Sequence, residues 1–103
     1  MFAFAGIWDC WMNKDTGEIL ETYAIITTKA NELLNPEHGP KLHDRMPVIL
    51  TKTDYEQWLA SAEPSHLPLD PLRPYPSDEM QVWKVSTAVG NVRHDSPDLW
   101  KPI

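Results

Sequence analysis

The chain has 103 residues, 42% of them apolar, with five Trp, one Cys and a formal net charge of −6. This length supports one domain and not two, and a single Cys excludes an internal disulfide framework or a cysteine-based zinc cluster and fits a reducing compartment. The acidic surplus argues against a general electrostatic footprint for nucleic acid but leaves room for a local groove lined by a few arginines.

Met1 to Gly6 is apolar but has no basic lead, and the chain turns polar at Asp9, so it does not read as a signal peptide. No apolar run approaches the roughly 18 residues that span a bilayer. A start directly on a strand-like run suggests a domain whose beginning lies before Met1. Phe2 to Met12 alternates. Phe2, Phe4, Gly6, Trp8 and Cys10 share one face, and Ala3, Ala5, Ile7, Asp9 and Trp11 share the other. Apolar side chains on both faces predict a central strand buried on both sides, with Cys10 as a small buried apolar residue. Asn13 to Gly17 is turn chemistry, and Glu18 to Thr27 returns as a second strand, completing a hairpin.

Thr28 can cap a short helix through Leu34. Asn35-Pro36 and Gly39-Pro40 end it and make a loop leading to His43. Met46 to Leu50 reads as a third, buried strand. Thr53-x-x-Glu56 has capping-box spacing and opens a second helix with Tyr55, Trp58 and Leu59 on one face. Ser61 to Ser77 carries Pro64, Pro68, Pro71, Pro74 and Pro76. It is therefore a rigid extended connection, with Leu67, Leu69, Leu72 and Tyr75 holding it to the body. Met80 to Val85 reads as a fourth strand. Ser86 to Ile103 is irregular, broken by Gly90, Pro97 and Pro102. The fold class is α+β: a mostly antiparallel sheet or partial barrel with two short helices, in a single domain fragment covering residues 1–103. Trp8, Trp58 and Trp83 are expected in the core, with Trp11 and Trp100 more exposed.

His43-Asp44-Arg45 sets three ionisable groups at the mouth of a buried strand. Such groups are costly to desolvate without partners, and histidine titrates in the range that suits proton transfer. A catalytic role for His43 stands beside a bland reading, a His–Asp or Arg–Asp pair that closes a loop. Metal hydrolysis fits poorly: His38 and His43 are five apart across a Gly-Pro loop, without a carboxylate at ligand spacing. His66 and His94 have no partners in sequence and are expected in solvent. Arg73 and Arg93 either extend a positive groove or pair with Asp70 and Asp95.

Four blocks occur in order: Phe2-Ala3-Phe4-Ala5-Gly6-Ile7-Trp8, Ile25-Ile26-Thr27-Thr28-Lys29-Ala30-Asn31, His43 to Leu50 (HDRMPVIL), and Val85-Ser86-Thr87-Ala88-Val89-Gly90-Asn91. Together with Pro74-Tyr75-Pro76 and Asp95-Ser96-Pro97 they resemble the SOS response-associated peptidase family, whose members shield abasic sites in DNA. The resemblance covers nearly the whole chain and places it in the C-terminal half of longer members. It implies a DNA-damage function on single-stranded DNA bearing abasic sites, in the bacterial cytoplasm with the nucleoid, with no cofactor and no membrane. It implies His43 as catalytic acid/base, Arg45 on backbone phosphate, Thr27 as a hydrogen-bonding neighbour of the site, and Asn91 as a further DNA contact. Gly90 stands where the family often has asparagine. In longer members the residue after the initiator methionine is a cysteine whose thiol and α-amine trap the abasic aldehyde as a thiazolidine. Here residue 2 is Phe2, and Cys10 does not match that nucleophile. This chain alone is therefore expected to lack the cross-linking and peptidase-type chemistry. It is expected to form a homo-oligomer through Phe2 to Met12 or to pair with the missing N-terminal half. A non-catalytic stand-alone interaction module is the alternative.

Overall fold

The computed structural model describes residues 1–60 and 68–103. Six short strands form three separate antiparallel ribbons. β1 (Ala3–Phe4) pairs with β6 (Ile49–Leu50), β2 (Gly6–Met12) with β3 (Ile19–Ile25), and β4 (Thr27–Lys29) with β5 (Arg45–Pro47). These are three longer strands, each interrupted at one residue. Ala5 separates β1 from β2, Ile26 separates β3 from β4, and Val48 separates β5 from β6.

At those three breaks the strands exchange partners. The Ala5 N–H donates to the Val48 carbonyl (2.8 Å), the Val48 N–H to the Ile26 carbonyl (2.8 Å), and the Ile26 N–H to the Ala5 carbonyl (3.0 Å). This closed ring satisfies all six backbone groups of the node where they are hidden from water, as buried amides require. Ala5 and Val48 are fully buried and Leu50 nearly so, and Ile26, Tyr55, Trp58 and Leu72 pack around them. The core is therefore a knot at the ribbon junction and not a sandwich between layers. The ribbons remain three separate two-stranded sheets, which gives an α+β fold without a closed barrel.

The first hairpin forms as the sequence predicts. Gly17 adopts φ 74°, which only glycine takes without strain. Its N–H reaches the Asn13 carbonyl at 2.8 Å, while the Asn13 side chain accepts from the Asp15 N–H at 2.9 Å. The expected two-sided burial does not occur. Every residue of β2 and β3 is exposed, because β2 pairs only with β3 and, among the described residues, little beyond the Trp58 indole, whose N–H donates to the Gly6 carbonyl at 3.3 Å, reaches the ribbon. Trp8 is 73% exposed, Trp11 is open too, and Cys10 is exposed and not buried.

Further expectations are corrected. The helix through Leu34 is absent: Thr27–Lys29 finds a strand partner in β5, and that pairing overrides local propensity. The capping box is not made. The chain enters α1 (Tyr55–Leu59) through a 3-10 turn at Lys52–Asp54 without a side-chain cap, Tyr55 and Trp58 face the core, and Leu59 points to solvent. The Met80–Val85 strand reduces to one bridge, Val85 to Pro102, since Pro102 has no N–H with which to extend a ladder. Trp83 is half-exposed, its indole N–H donating to the Trp100 carbonyl at 2.9 Å. In the proline-rich connection Pro71 is buried and Leu72 packs on the core, whereas Leu69 is exposed. Pro64, His66 and Leu67 lie outside the described residues.

That connection is locked by a pair the sequence reading did not foresee. Arg73 donates from Nη2 to Asp54 Oδ2 (3.0 Å) and from Nη1 to the Asp70 carbonyl (2.6 Å), so its carboxylate partner is Asp54 and not Asp70. The Thr51 hydroxyl donates to the same Asp54 oxygen at 2.8 Å. The Thr51 hydrogen bond, and then the Arg73 charge, hold the Asp54 carboxyl below its ordinary pKa, against the opposing effect of burial. A carboxyl depressed on folding stabilises the native state above its unfolded pKa, and that contribution disappears as pH falls through the folded value. The melting-temperature gap between wild type and Asp54→Asn is therefore expected to shrink as pH is lowered from neutrality through the carboxylate range. A gap constant with pH would show that Asp54 acts without its charge.

The three ribbons leave the molecule extended. Its radius of gyration is 18.1 Å, against about 13 Å for a compact domain of this length. Its accessible surface is 9042 Å², against about 5,900 Å² for a compact monomer of this mass.

Candidate functional site

The site is built where β4 and β5 run side by side. Register sets Thr27 opposite Pro47 and Lys29 opposite Arg45. Directly opposed residues in an antiparallel pair project to the same face, so Thr27, Lys29, Arg45 and Pro47 share one. Arg45 leans along the ribbon to Thr27. Its Nε and Nη2 donate to Thr27 Oγ1 (3.2 and 3.0 Å), and Nη2 also donates to the Thr27 carbonyl (2.9 Å). The guanidinium is thus oriented by a neutral partner and takes part in no ion pair among the described residues.

His43 precedes β5 and is held by its own turn. Its Nδ1 accepts from the Arg45 N–H at 3.1 Å and lies 3.5 Å from Asp44 Oδ1. The first contact assigns the neutral ring the tautomer protonated at Nε2. The ring is largely open to solvent. Thr27, Leu34, His43, Arg45, Met46 and Pro47 line one shallow groove of about 310 Å³. Three of the four residues singled out from sequence therefore meet. The fourth, Asn91, does not line this groove. It closes the 3-10 turn at Thr87–Gly90, and its Oδ1 accepts from the Arg93 N–H at 3.0 Å.

The loop that presents His43 is closed at its base. The N–H groups of Leu42 and His43 both donate to the Leu34 carbonyl (2.8 and 3.1 Å), and that of Ala30 to the Asp44 carbonyl (3.0 Å). Asn31, buried and unrecognised as a site residue in the sequence, organises the other side. Its carbonyl accepts from Leu34 and Asn35, and its Nδ2 donates to the Tyr75 carbonyl at 2.7 Å and to Met80 Sδ at 3.2 Å. The signal available in sequence was weak: an Asn after a short strand favours a local turn. The 44-residue reach to Tyr75 has no sequence mark. His94 is exposed as expected but not partnerless, since its Nε2 lies 3.1 Å from Ser96 Oγ and 3.4 Å from Asp98 Oδ2. Among the described residues no group of three His, Cys, Asp or Glu side chains is placed to hold a metal ion, and no helix is long and apolar enough to cross a membrane.

Residues 1–92 match the family model for the SOS response associated peptidase, SRAP. The chain belongs to the SRAP family. It is 42% identical over 101 residues to the abasic site processing protein YoqW of Bacillus subtilis (strain 168), a match covering 96% of this chain and 42% of that protein. It is 38% identical over 105 residues to the abasic site processing protein HMCES of Gallus gallus, covering the whole of this chain and 29% of that one. A crystal structure of a protein from Bacteroides thetaiotaomicron superposes with TM-score 0.71 at 34% sequence identity, covering 99% of this chain and 43% of that one. The chain thus spans well under half the length of these SRAP relatives and of that solved structure. The blocks that suggested SRAP in the sequence include the three strands that meet at the Ala5–Ile26–Val48 node.

Proposed function

We propose that this chain supplies the groove of an SRAP protein that processes abasic sites in single-stranded DNA, as part of a response to DNA damage. The observation that carries the reading is the convergence of Thr27, His43 and Arg45 on one groove, with Arg45 oriented by a neutral partner and His43 open to solvent. The names of the SRAP relatives supply the substrate.

In this reading Arg45 takes a backbone phosphate through charge-assisted hydrogen bonds, which position a strand without reading its sequence. An abasic sugar is a cyclic hemiacetal. Its opening needs a proton delivered to the ring oxygen and one removed from the C1′ hydroxyl; His43 as the imidazolium delivers the first and is left as neutral imidazole, while solvent water takes the second. Thr27 holds Arg45 in place, and Asn91 adds a DNA contact from the tail. In this reading the protein works in the bacterial cytoplasm with the nucleoid.

Thiazolidine formation joins the aldehyde carbon to a thiol and an amine of the same cysteine with loss of water. Cys10 lies within β2, its nitrogen in a peptide bond and its N–H donated to Asp9 Oδ1 at 2.8 Å. It therefore offers no amine. Incubated with single-stranded DNA carrying one abasic site, the chain is expected to retard the strand on a native gel in an Arg45-dependent way. It is expected to leave no heat-stable band on a denaturing gel. A stable band that disappears in Cys10→Ala would contradict the chemistry, and a wild-type chain that fails to retard the strand would end the DNA reading. The open hairpin favours a second reading, a non-catalytic interaction module. In either case the chain pairs with a second copy or with the remaining portion of an SRAP fold.

A further inference from the structure

Lys29 stands directly opposite Arg45 across the β4–β5 ribbon. Like charges directly opposed on one face repel. Both residues are exposed, and among the described residues neither takes part in an ion pair. Asp44, next to Arg45 in sequence, lies instead beside the ring nitrogen of His43. A chain with a net charge of −6 therefore sets two cations on one face of the ribbon that carries its groove, neither of them in an ion pair among the described residues. Such an arrangement concentrates positive field locally whatever the overall charge.

The Arg45 guanidinium, however, reaches back to Thr27, two residues along β4 from the Lys29 backbone position, a displacement of about 6.6 Å along the strand. That offset suits neighbouring phosphates of an extended single strand better than two contacts to one phosphate. We infer that Lys29 is a second phosphate-binding residue, which engages the nucleotide next to the one held by Arg45 and so directs the strand across the β4–β5 ribbon. The inference rests on the DNA-groove reading above and adds to it the path of the strand.

The test is a salt titration. Fluorescence anisotropy of a fluorescein-labelled single-stranded oligothymidylate is followed with the intact chain, with Lys29→Met, with Arg45→Met, and with Lys14→Met as a charge-loss control in the hairpin turn. Methionine keeps an unbranched stem and removes only the cation. Each lost phosphate contact lowers the slope of log Kd against log salt by about 0.7 on a single strand. The expected result is that drop in Lys29→Met and in Arg45→Met, an unchanged slope in Lys14→Met, and no binding of a methylphosphonate oligomer of the same sequence. A wild-type slope in Lys29→Met with a reduced one in Arg45→Met removes Lys29 and leaves the groove intact. An equal drop in Lys14→Met reduces the effect to net charge and overturns the inference. Absence of binding by the intact chain, or a wild-type slope in Arg45→Met, overturns the groove reading and the inference with it.

Discussion

Val48→Asp is expected to abolish the cooperative unfolding transition. Val48 is fully buried at the point where the three ribbons exchange partners, and its N–H and carbonyl are both committed to the other two strands. A carboxylate there has no cation and no free N–H to meet it. Burial of an unpaired charge costs several kcal/mol, comparable to the whole stability of a small domain, about 5 kcal/mol at the low end. The buried apolar side chains among the described residues, Ala5, Met46, Val48, Leu50 and Pro71, are few enough that no second cluster can hold the ribbons together. Val48→Ala separates packing from charge. It keeps the backbone ring and removes two methyl groups, for a loss of about 1 to 3 kcal/mol, and a cooperative transition is expected to survive. Urea titration followed by tryptophan emission measures both, because Trp58 packs on this cluster. A cooperative transition in Val48→Asp at near wild-type midpoint would mean that the node does not hold the fold.

The isolated chain is expected to run above its 11.8 kDa monomer mass, most simply as a two-fold dimer, when size exclusion is coupled to light scattering. The hairpin is the reason. Trp8 lies opposite Tyr23 and Met12 opposite Ile19 on one face, while Trp11 lies opposite Leu20 and Ile7 opposite Ala24 on the other. Tyr23 is 83% exposed. An isolated two-stranded ribbon is marginal in water, and one that is apolar on both faces has no side suited to solvent. The surface beyond the compact norm is about 3,000 Å², several times the roughly 800 Å² that each partner contributes to a stable interface. Among the described residues no strand pairs with either outer edge of the hairpin, which leaves both open to strand pairing. Trp8→Lys combined with Tyr23→Glu places opposite charges across the ribbon, preserving the pair while removing its apolar surface. That double variant is expected to return the mass to monomer with little change in the melt. A clean wild-type monomer at tens of micromolar would show instead that the hairpin tolerates water.

Local sequence carried the first hairpin, because its signals are short-range: alternation, an Asn-to-Gly turn and β-branched residues. It carried His43, Arg45 and Thr27 as well, since the family blocks hold them in recognisable order, and the structure brings all three to one groove. Alternation in Phe2 to Met12 was real, but burial is not a property of a strand. It depends on what lies over each face, and here only Ala5 is buried while β2 stays open. Thr28 to Leu34 had helical residues yet became strand and turn, because β5 offered hydrogen bonds that local propensity cannot see. Asp54 with Arg73, and Asn31 with Tyr75, join positions far apart in the chain, and no spacing rule announces such pairs. The division follows from range. Turn chemistry, strand periodicity and a motif of adjacent residues act within a few positions and are written in the sequence itself. The partner exchange at Ala5, Ile26 and Val48, the orientation of Arg45 by Thr27 and the exposure of the hairpin arise only when distant segments meet, so the tertiary structure decided them.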